Sequence, residues 1–457
     1  MARLISSLSC ILILTILLFP TICLSKTQNP ESQAAEASAA LFIFGDSFFD
    51  SGNNNYINTT TLDQANFWPY GETYFKFPTG RFSDGRLISD FIGEIWKPFV
   101  QLSAMQIHLA YRPTRPFLSL PLTLPFLSVT FFVAQYAKLP IIPPFLQPGV
   151  HQFYYGVNFA SAGAGALVET FQGAGPVEGR EKHSSKLYVD LICEYSTPEK
   201  VIDLKTQLKY YNKVVIWLRH KLGNFEAKMR LSRAVYLFSI GSNDYMSPFL
   251  TNSTILDSYS ESEYVGMVIG NLTTVIKKIY SRGGRKFGFL NLPPLGCFPG
   301  LRVLKPDKNG SCLEKVSMLA KLHNRALSKL LVKLENQLLG FKYSYYDFNS
   351  NLKQRMNRPA KYGTYYIHVI AILISGFKEG KTACCGTGRF RGVFSCGGRR
   401  IVKEFQLCEN PSEYVLWDSF HLTEKLYKQL ADEMWSGSPN SDVVRPYSLK
   451  NLFFPRV

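Results

Sequence analysis

The sequence lacks several patterns that would assign it to common functional classes. It contains no His-x-x-x-His and no paired Cys-x-x-Cys, the usual ligand spacings of zinc sites. No internal repeat is evident. The net charge is +17, but the basic residues are scattered and the densest patches are as short as Lys277-Lys278, Arg282 to Lys286 and Arg399-Arg400. This distribution argues against nucleic acid and favours association with acidic polysaccharide or another anionic surface, such as a cell wall.

Long hydrophobic runs are also scarce. Arg3 precedes an apolar core, Leu8–Phe19, which is short for a bilayer span of about 20 residues. The small or neutral residues that follow predict a signal peptide over 1–25 and hence a secreted, extracellular protein. A second run, 117–134, is long enough to span a membrane. Two prolines would break or kink that helix, so no transmembrane span is expected.

The cysteines agree with an oxidising compartment. Beyond the signal there is an odd Cys193 and an even set of six: Cys297, Cys312, Cys384, Cys385, Cys396 and Cys408. Disulfides among these six are favoured over zinc, with their connectivity left open. Four Asn-x-Ser/Thr sequons are candidate glycosylation sites, namely Asn58, Asn252, Asn271 and Asn309.

Short apolar runs alternate with amphipathic helical patterns along the chain. The predicted strands are Leu41–Phe44, Gly156–Ala160, Ala234–Ile240, Phe287–Asn291 and Tyr343–Phe348. The predicted helices are Leu87–Glu94, Val201–Leu222, Tyr259–Tyr280, Leu313–Leu338 and Leu422–Met434. This alternation predicts a single α/β domain over 26–457, a three-layer α/β/α sandwich with about five parallel strands.

A serine follows the first predicted strand directly, in Phe44-Gly45-Asp46-Ser47. Ligands of open α/β sheets bind at this edge, beyond the carboxyl ends of the strands. A serine hydroxyl becomes a nucleophile only when a general base takes its proton. Near the C-terminus, Asp418 stands three residues before His421, where it can orient the imidazole and stabilise its charged form.

Donors for an oxyanion are predicted at the ends of two other strands. The side chain of Asn243 follows one strand, and the small residues of Ser161–Gly165 follow another. Hydrogen-bond donors of this kind each contribute a few kcal/mol to acyl transfer. Taken singly, Asn243 is better explained as a helix cap, and Gly163 and Gly165 as parts of a tight turn.

Together, these blocks resemble those of the plant-type secreted GDSL esterase/lipases of the SGNH hydrolase superfamily. The matching blocks are Phe44–Asn55, Thr79–Arg86, Gly156–Gly165, Ile240–Tyr245, Leu292–Cys297, Ala383–Gly386 and Trp417–His421. The resemblance implies a flavodoxin-like fold with Ser47 as nucleophile, His421 as base and Asp418 as its partner. It also implies an oxyanion hole of the Ser47 N–H, the Gly163 N–H and the Asn243 side chain, with no cofactor and no metal.

The chain departs from the family pattern at a few positions. Phe48 stands where the family name has Leu, and Leu422 follows His421 where Pro is usual. Ala162 replaces a common Gly, which leaves open whether Ala162 or Gly163 supplies the donating N–H. The Gly-x-Ser-x-Gly elbow of the larger α/β-hydrolases is absent from the sequence, which favours the SGNH fold.

The resemblance implies cleavage of carboxylic esters, including lipid or other acyl esters. The alternative is a catalytically silent binding or defence-accessory protein on the same fold, which loss of a catalytic residue would signal. All three predicted catalytic residues are present. Neither the acyl group nor the alcohol of the substrate follows from the sequence.

Three segments interrupt the family pattern: 95–135, 175–200 and 364–376. In the family, the sequences on either side of each segment run almost directly into one another. We hypothesise that these segments are translated introns or mis-spliced exons, whereas the rival interpretation is genuine surface loops.

We expect transcript sequencing to show reads that join residue 94 to 136, 174 to 201 and 363 to 377 in frame. The reads through the neighbouring exons serve as the internal control. Reads that run continuously through all three segments would refute the hypothesis and make the segments genuine insertions.

Overall fold

The computed structural model describes residues 39–93, 139–171, 201–251, 253–305, 310–362, 364–368, 371–400, 402–437 and 443–455. Several sequence predictions lie outside these residues: the signal peptide 1–25, the segments 95–135 and 175–200, Cys193, Asn252 and Asn309.

A six-stranded sheet forms the centre of the described unit. Its strands are β1 (Leu41–Gly45), β2 (Gly156–Asn158), β3 (Val235–Ser239), β4 (Lys286–Leu290), β5 (Lys342–Tyr346) and β6 (Val444–Pro446). The order across the sheet is β6-β5-β4-β3-β1-β2. The first five strands are parallel, and β6 pairs antiparallel with β5. This mostly parallel sheet confirms the predicted fold class.

Helices cover both faces of the sheet. The longer ones are α1 (Ile88–Gly93), α2 (Leu204–Arg233), α3 (Ser242–Leu250), α4 (Glu261–Ser281), α5 (Glu314–Gln337), α6 (Phe348–Asn357), α7 (Glu424–Ser436) and α8 (Leu449–Phe453). Helices α2, α4 and α5 pack side by side in one layer, and α7 contacts both α1 and α8 in the other. Right-handed crossovers from parallel strands produce such layers. Within the described residues, none of the helices combines the length and apolarity of a membrane crossing.

Shorter elements complete the described structure. They are the helical turns Asn53–Tyr56, Thr61–Asp63, Ile255–Ser258, Leu295–Cys297, Pro299–Arg302, Pro359–Lys361, Arg389–Arg391 and Pro411–Glu413. Two small antiparallel pairs join Thr364–His368 to Ala371–Ser375 and Cys385–Gly386 to Gln406–Leu407. The predicted insertion 364–376 therefore contains a hairpin, which is compatible with either interpretation of its origin.

The predicted elements agree with the observed ones to within a few residues at most ends. The predicted helix end at Leu222 coincides with a kink, because Gly223 has a left-handed φ of 78° inside α2. Beyond Gly223 the helix resumes and ends at Arg233. Helix α6 was not predicted because its sequence, FNSNLKQRMN, has little apolar periodicity.

Stacked aromatic rings connect the central strands within the core. Phe42, Tyr236 and Phe287 lie on neighbouring strands, with ring centroids 5.5 and 5.3 Å apart. Such pairs contribute about 0.5–1.5 kcal/mol each beyond their burial. The stacks fix β1 against β3 and β4, and therefore fix the position of the loop that follows β1.

Candidate active site

The loop after β1 is anchored by a buried glutamine of α2. The Gly45 N–H donates to Gln207 Oε1 (2.9 Å), and Gln207 Nε2 donates to the Gly45 carbonyl (2.8 Å). A Cβ at position 45 would lie 2.3 Å from the Ser239 carbonyl oxygen. Only glycine therefore fits at this end of β1, where the strand lies against β3. Ser47 follows two residues later and lies at the carboxyl edge of the sheet.

The structure brings Ser47, His421 and Asp418 into one hydrogen-bonded chain. His421 Nε2 lies 2.8 Å from Ser47 Oγ, and His421 Nδ1 lies 2.7 Å from Asp418 Oδ1. The Phe82 ring packs on the imidazole with centroids 4.6 Å apart. This arrangement leaves the nitrogen facing Ser47 able to accept its proton while Asp418 orients the ring.

Asp418 is buried but is held in its charged form. Burial alone would raise its pKa, yet the His421 charge and hydrogen bonds from His421, the Phe420 N–H and Tyr70 lower the pKa to about 2. The Tyr70 hydroxyl donates to Asp418 Oδ2 (2.8 Å) and accepts from a guanidinium N–H of Arg400 (3.0 Å). The Arg400 guanidinium also donates to the backbone carbonyls of Thr61 and Gln64.

Tyr70 and Arg400 were not identified from the sequence. Both are buried, and neither belongs to a spacing pattern that points to Asp418. They lie 330 residues apart in the chain, so only the fold shows that they meet.

The turn that carries His421 is closed by its own backbone. The Trp417 N–H donates to the His421 carbonyl (2.8 Å), and Leu416 pairs with Leu422 across the turn. Leu422 is fully buried. Backbone pairing and packing thus fix the turn in which Leu422 replaces the proline usual in the family.

Three disulfides connect the six predicted cysteines and confirm the expected cross-links. The pairs are Cys297–Cys312, Cys384–Cys408 and Cys385–Cys396. The adjacent Cys384 and Cys385 donate their N–H groups to the carbonyls of Leu416 and Trp417. Two disulfides therefore cross-link the segment that pairs with the chain just before Asp418.

The structure distinguishes between the two candidate N–H donors after β2. The Ala162 N–H donates to Asp50 Oδ2 (3.0 Å) and is therefore occupied. Among the described hydrogen bonds, neither the Gly163 N–H nor the Ser47 N–H has an acceptor. Gly163 has a φ of 77°, and a Cβ there would lie 2.7 Å from Asp63 Oδ1. The geometry favours Gly163 as the residue whose N–H remains available.

Asn243 lies at the start of α3, beside the Gly163 loop. Its Nδ2 donates one hydrogen to the Ala164 carbonyl (2.9 Å), which leaves the second amide hydrogen available. The next residue, Asp244, accepts from the N–H groups of Ala166 and Leu167, both at 2.9 Å. Adjacent side chains of α3 therefore fix the loop that carries Gly163.

Asparagines of the loop that follows Ser47 also bind the end of β2 and the loop that carries Gly163. Asn53 Nδ2 donates to the carbonyls of Asn158 (3.0 Å) and Ala160 (2.8 Å), and Asn54 Nδ2 donates to the Ala162 carbonyl (3.0 Å). Buried backbone carbonyls need such partners. These asparagines therefore serve to position the loops around the site.

A small cavity of about 30 Å³ adjoins Ser47 and His421. Its apolar lining consists of Leu62, Phe82, Ala162, Phe171, Met246, Leu250, Phe394 and Phe420. The volume holds roughly one or two water molecules. A larger acyl group would enter only if these side chains move apart.

Two of the candidate glycosylation sites lie in the described part of the chain. Asn58 and Asn271 are both exposed, and Asn271 lies on α4. Exposure is compatible with a glycan at either position, and glycosylation itself stays a prediction.

The parallel sheet and the Ser–His–Asp geometry at its carboxyl edge are characteristic of serine hydrolases. The family model of GDSL-like lipases/acylhydrolases matches residues 122–434, a range that includes Asp418 and His421 and begins after Ser47. The chain belongs to this family.

Plant relatives match over a wider range that covers nearly the whole chain. GDSL esterase/lipase 5 of Arabidopsis thaliana is 52% identical over 417 residues, which are 91% of this chain and 87% of the relative. GDSL esterase/lipase 2 of the same plant is 44% identical and covers 93% of this chain and 92% of the relative. The GDSL lipase of Tanacetum cinerariifolium is 41% identical, over 95% and 90% respectively.

The buried carboxyls of the site predict a stability that falls as pH rises. Burial raises the pKa of Asp46 to about 8 and that of Asp84 to about 7. Unfolded carboxyls ionise near pH 4, so the folded state binds more protons, and the stabilisation is lost as pH rises through 7 and 8. Asp418, whose pKa is lowered to about 2, affects the free energy of unfolding with the opposite sign. Its stabilising effect is lost only as pH falls from about 4 toward about 2, so it stays constant between pH 6.5 and 8.5.

We therefore expect the urea midpoint of unfolding to fall as pH rises from 6.5 to 8.5. Asp46→Asn removes the titrating carboxyl, so the midpoint of this variant should change less with pH between 7 and 8.5. A midpoint that is constant or rises over this range in the native sequence would contradict the protonated state of these carboxyls.

Proposed function

We propose that this protein is a secreted serine hydrolase that cleaves carboxylic esters through an acyl-enzyme on Ser47. The observation that carries the proposal is the 2.8 Å contact between Ser47 Oγ and His421 Nε2, with Asp418 behind the imidazole. Membership of the GDSL-like lipase/acylhydrolase family supports the same reaction class.

In the first half of the reaction, Ser47 Oγ attacks the acyl carbon of the ester while His421 Nε2 takes the hydroxyl proton. The imidazolium is stabilised by the Asp418 carboxylate, whose low pKa keeps it charged. The same nitrogen then returns the proton to the alcohol as it leaves, and Ser47 carries the acyl group. In the second half, His421 activates a water molecule that releases the acid.

The negative oxygen of the tetrahedral intermediate is stabilised by three donors. These are the free N–H groups of Ser47 and Gly163 and the second amide hydrogen of Asn243. Each is held by contacts described above, so little reorganisation is needed when the charge develops. The apolar lining of the neighbouring cavity favours an aliphatic or aromatic acyl group, including those of lipids.

An extracellular location, in the apoplast or cell wall, is the second part of the proposal. It rests on the signal-peptide pattern and on three disulfides, which persist in oxidising compartments. A charge of +17 favours retention on anionic wall polymers.

Removal of the nucleophile tests the reaction. We expect Ser47→Ala and His421→Ala to lower kcat on short p-nitrophenyl esters by a factor of about 10⁴ or more. Asn243→Ala should lower kcat by about 10²–10³ with a smaller change in KM, since its donor acts on the intermediate.

The control for this experiment is Ser51→Ala, which removes a buried hydroxyl with no hydrogen-bond partner among the described residues. It should retain nearly full activity. Equal turnover by Ser47→Ala and the native sequence would overturn the proposal, as would a native protein that folds but hydrolyses no ester in a chain-length series.

Tyr70 is expected to act as a positioning residue through Asp418. In Tyr70→Phe, the carboxylate loses a hydrogen-bond donor, so its pKa should rise and its unshared negative charge should stabilise the imidazolium of His421 more strongly. The acid limb of the kcat/KM profile, which reports protonation of the base, should therefore move to higher pH. We expect kcat to fall about tenfold, equivalent to about 1.4 kcal/mol, with little change in KM.

Tyr56→Phe makes the same chemical change at an exposed tyrosine and serves as the control. It should leave kcat and the pH profile unchanged. An acid limb that stays in place in Tyr70→Phe would mean that the hydroxyl only fills space.

A further inference from the structure

Two adjoining clefts lie away from the serine, where α5 faces α6 and the end of β5. Their volumes are about 540 and 500 Å³, and they share Lys321, Asn349 and Ser350 in their walls. Each is far larger than the cavity beside Ser47. Together they form one groove, which we call the basic groove.

Cationic side chains from three parts of the chain line the basic groove. Helix α5 contributes Lys321, Arg325 and Lys329, at successive intervals of four residues. The other cations follow from α6, from the turn after it and from β6: Lys353, Arg358, Lys361 and Arg445. All seven side chains belong to exposed residues.

The groove offers these cations little opposing charge. Within the described residues, none of the seven forms an ion pair, although Lys342, Lys378 and Lys428 elsewhere do. The acidic residue in the lining is Asp347, whose carboxylate already accepts from Asn291 Nδ2 (2.9 Å) and the Ser350 N–H (3.2 Å).

The spacing on α5 places like charges on one helix face. Lys321, Arg325 and Lys329 are about 6 Å apart along the helix axis. Like charges four residues apart on a helix repel one another and destabilise it. Their repulsion would be relieved by a ligand that presents negative charges in a row.

The rest of the lining is suited to a hydroxylated ligand. Asn349, Gln354 and Asn357 contribute amides that can donate and accept hydrogen bonds, and Ser350 contributes a hydroxyl. A row of cations flanked by amides and a hydroxyl matches a chain that carries both carboxylates and hydroxyl groups.

We propose that the basic groove binds a linear acidic polysaccharide, a polyuronide whose carboxylates pair with the α5 cations. Nucleic acid is disfavoured because single strands bind on free aromatic faces. The two aromatic residues in the lining are engaged. Tyr345 is buried, and the Tyr362 ring lies 4.2 Å from the Arg355 guanidinium. The choice of a wall polymer as partner rests on the extracellular location proposed above.

The groove lies at the same end of the sheet as Ser47. Asn349 Nδ2 donates to the carbonyl of Leu292, just beyond β4 (2.9 Å). Its neighbour Phe348 packs edge-on against Phe48, the residue after Ser47, with centroids 5.6 Å apart. A bound polysaccharide would therefore lie at the same end of the sheet as the reactive serine.

The test compares two triple variants of the secreted full-length protein. Lys321→Gln/Arg325→Gln/Lys329→Gln removes three charges from the groove. Lys205→Gln/Lys209→Gln/Lys213→Gln removes three charges with the same spacing from exposed positions on α2, a helix separated from α5 by α4. Binding to de-esterified polygalacturonate is measured by titration calorimetry in 0.1 M salt. A neutral polysaccharide and single-stranded DNA of equal charge are the comparison ligands.

We expect the groove variant to bind polygalacturonate at least tenfold more weakly than the native protein, and the α2 variant to bind within threefold of it. Equal losses in both variants would show that net charge alone is responsible and would overturn the proposal. No loss in either, or DNA binding as tight as polygalacturonate binding, would overturn it as well. Both variants should hydrolyse short soluble esters at the native rate, so failure of the groove is distinguishable from failure of the proposed hydrolase.

Discussion

The arrangement of the site depends on one buried carboxylate, Asp50. It accepts from the N–H groups of Gly52 (2.8 Å) and Asn53 (2.6 Å) within its own loop and from the Ala162 N–H (3.0 Å) in the loop after β2. Buried carboxylates persist where such donors replace water. Asp50 occupies the Ala162 N–H, whereas the next N–H, at Gly163, has no acceptor among the described hydrogen bonds, and Gly163 lines the same cavity as Ser47. A structural hydrogen bond thereby decides which backbone group can act in chemistry.

The same principle extends across the carboxyl edge of the sheet. Polar side chains there bind the backbone of a neighbouring loop: Gln207 holds Gly45, Asn53 holds Ala160, and Asp244 holds Ala166. Loops at this edge have little regular structure to fix them, so side chains satisfy their buried donors and acceptors. The cost is a set of buried carboxyls whose burial raises the pKa, Asp50 and Asp244 among them, both to about 6. Precise placement of the reacting groups and sensitivity to pH therefore have the same origin.

The sequence was sufficient to predict what local patterns determine. Continuous apolar runs predicted β1, β3, β4 and β5 closely, and the spacing of Asp418 and His421 predicted their contact, which is intrinsic to a short turn. Contacts between distant segments could not be predicted. Gln207 meets Gly45 across 162 positions and Arg400 meets Tyr70 across 330, with no periodicity to connect them.

The disulfides of the adjacent cysteines at 384 and 385 restrict where in the cell the turn with Asp418 and His421 can become fixed. Their disulfides close two short loops on the segment that pairs with Leu416 and Trp417, directly before the acid and the base. The serine is held by the central sheet, whereas its partners are held by cross-links that form only when thiols are oxidised. A chain with reduced thiols would keep its sheet and its serine but lack a fixed base. For a protein secreted as proposed above, the acid and the base would thus become fixed only after the chain has entered an oxidising compartment.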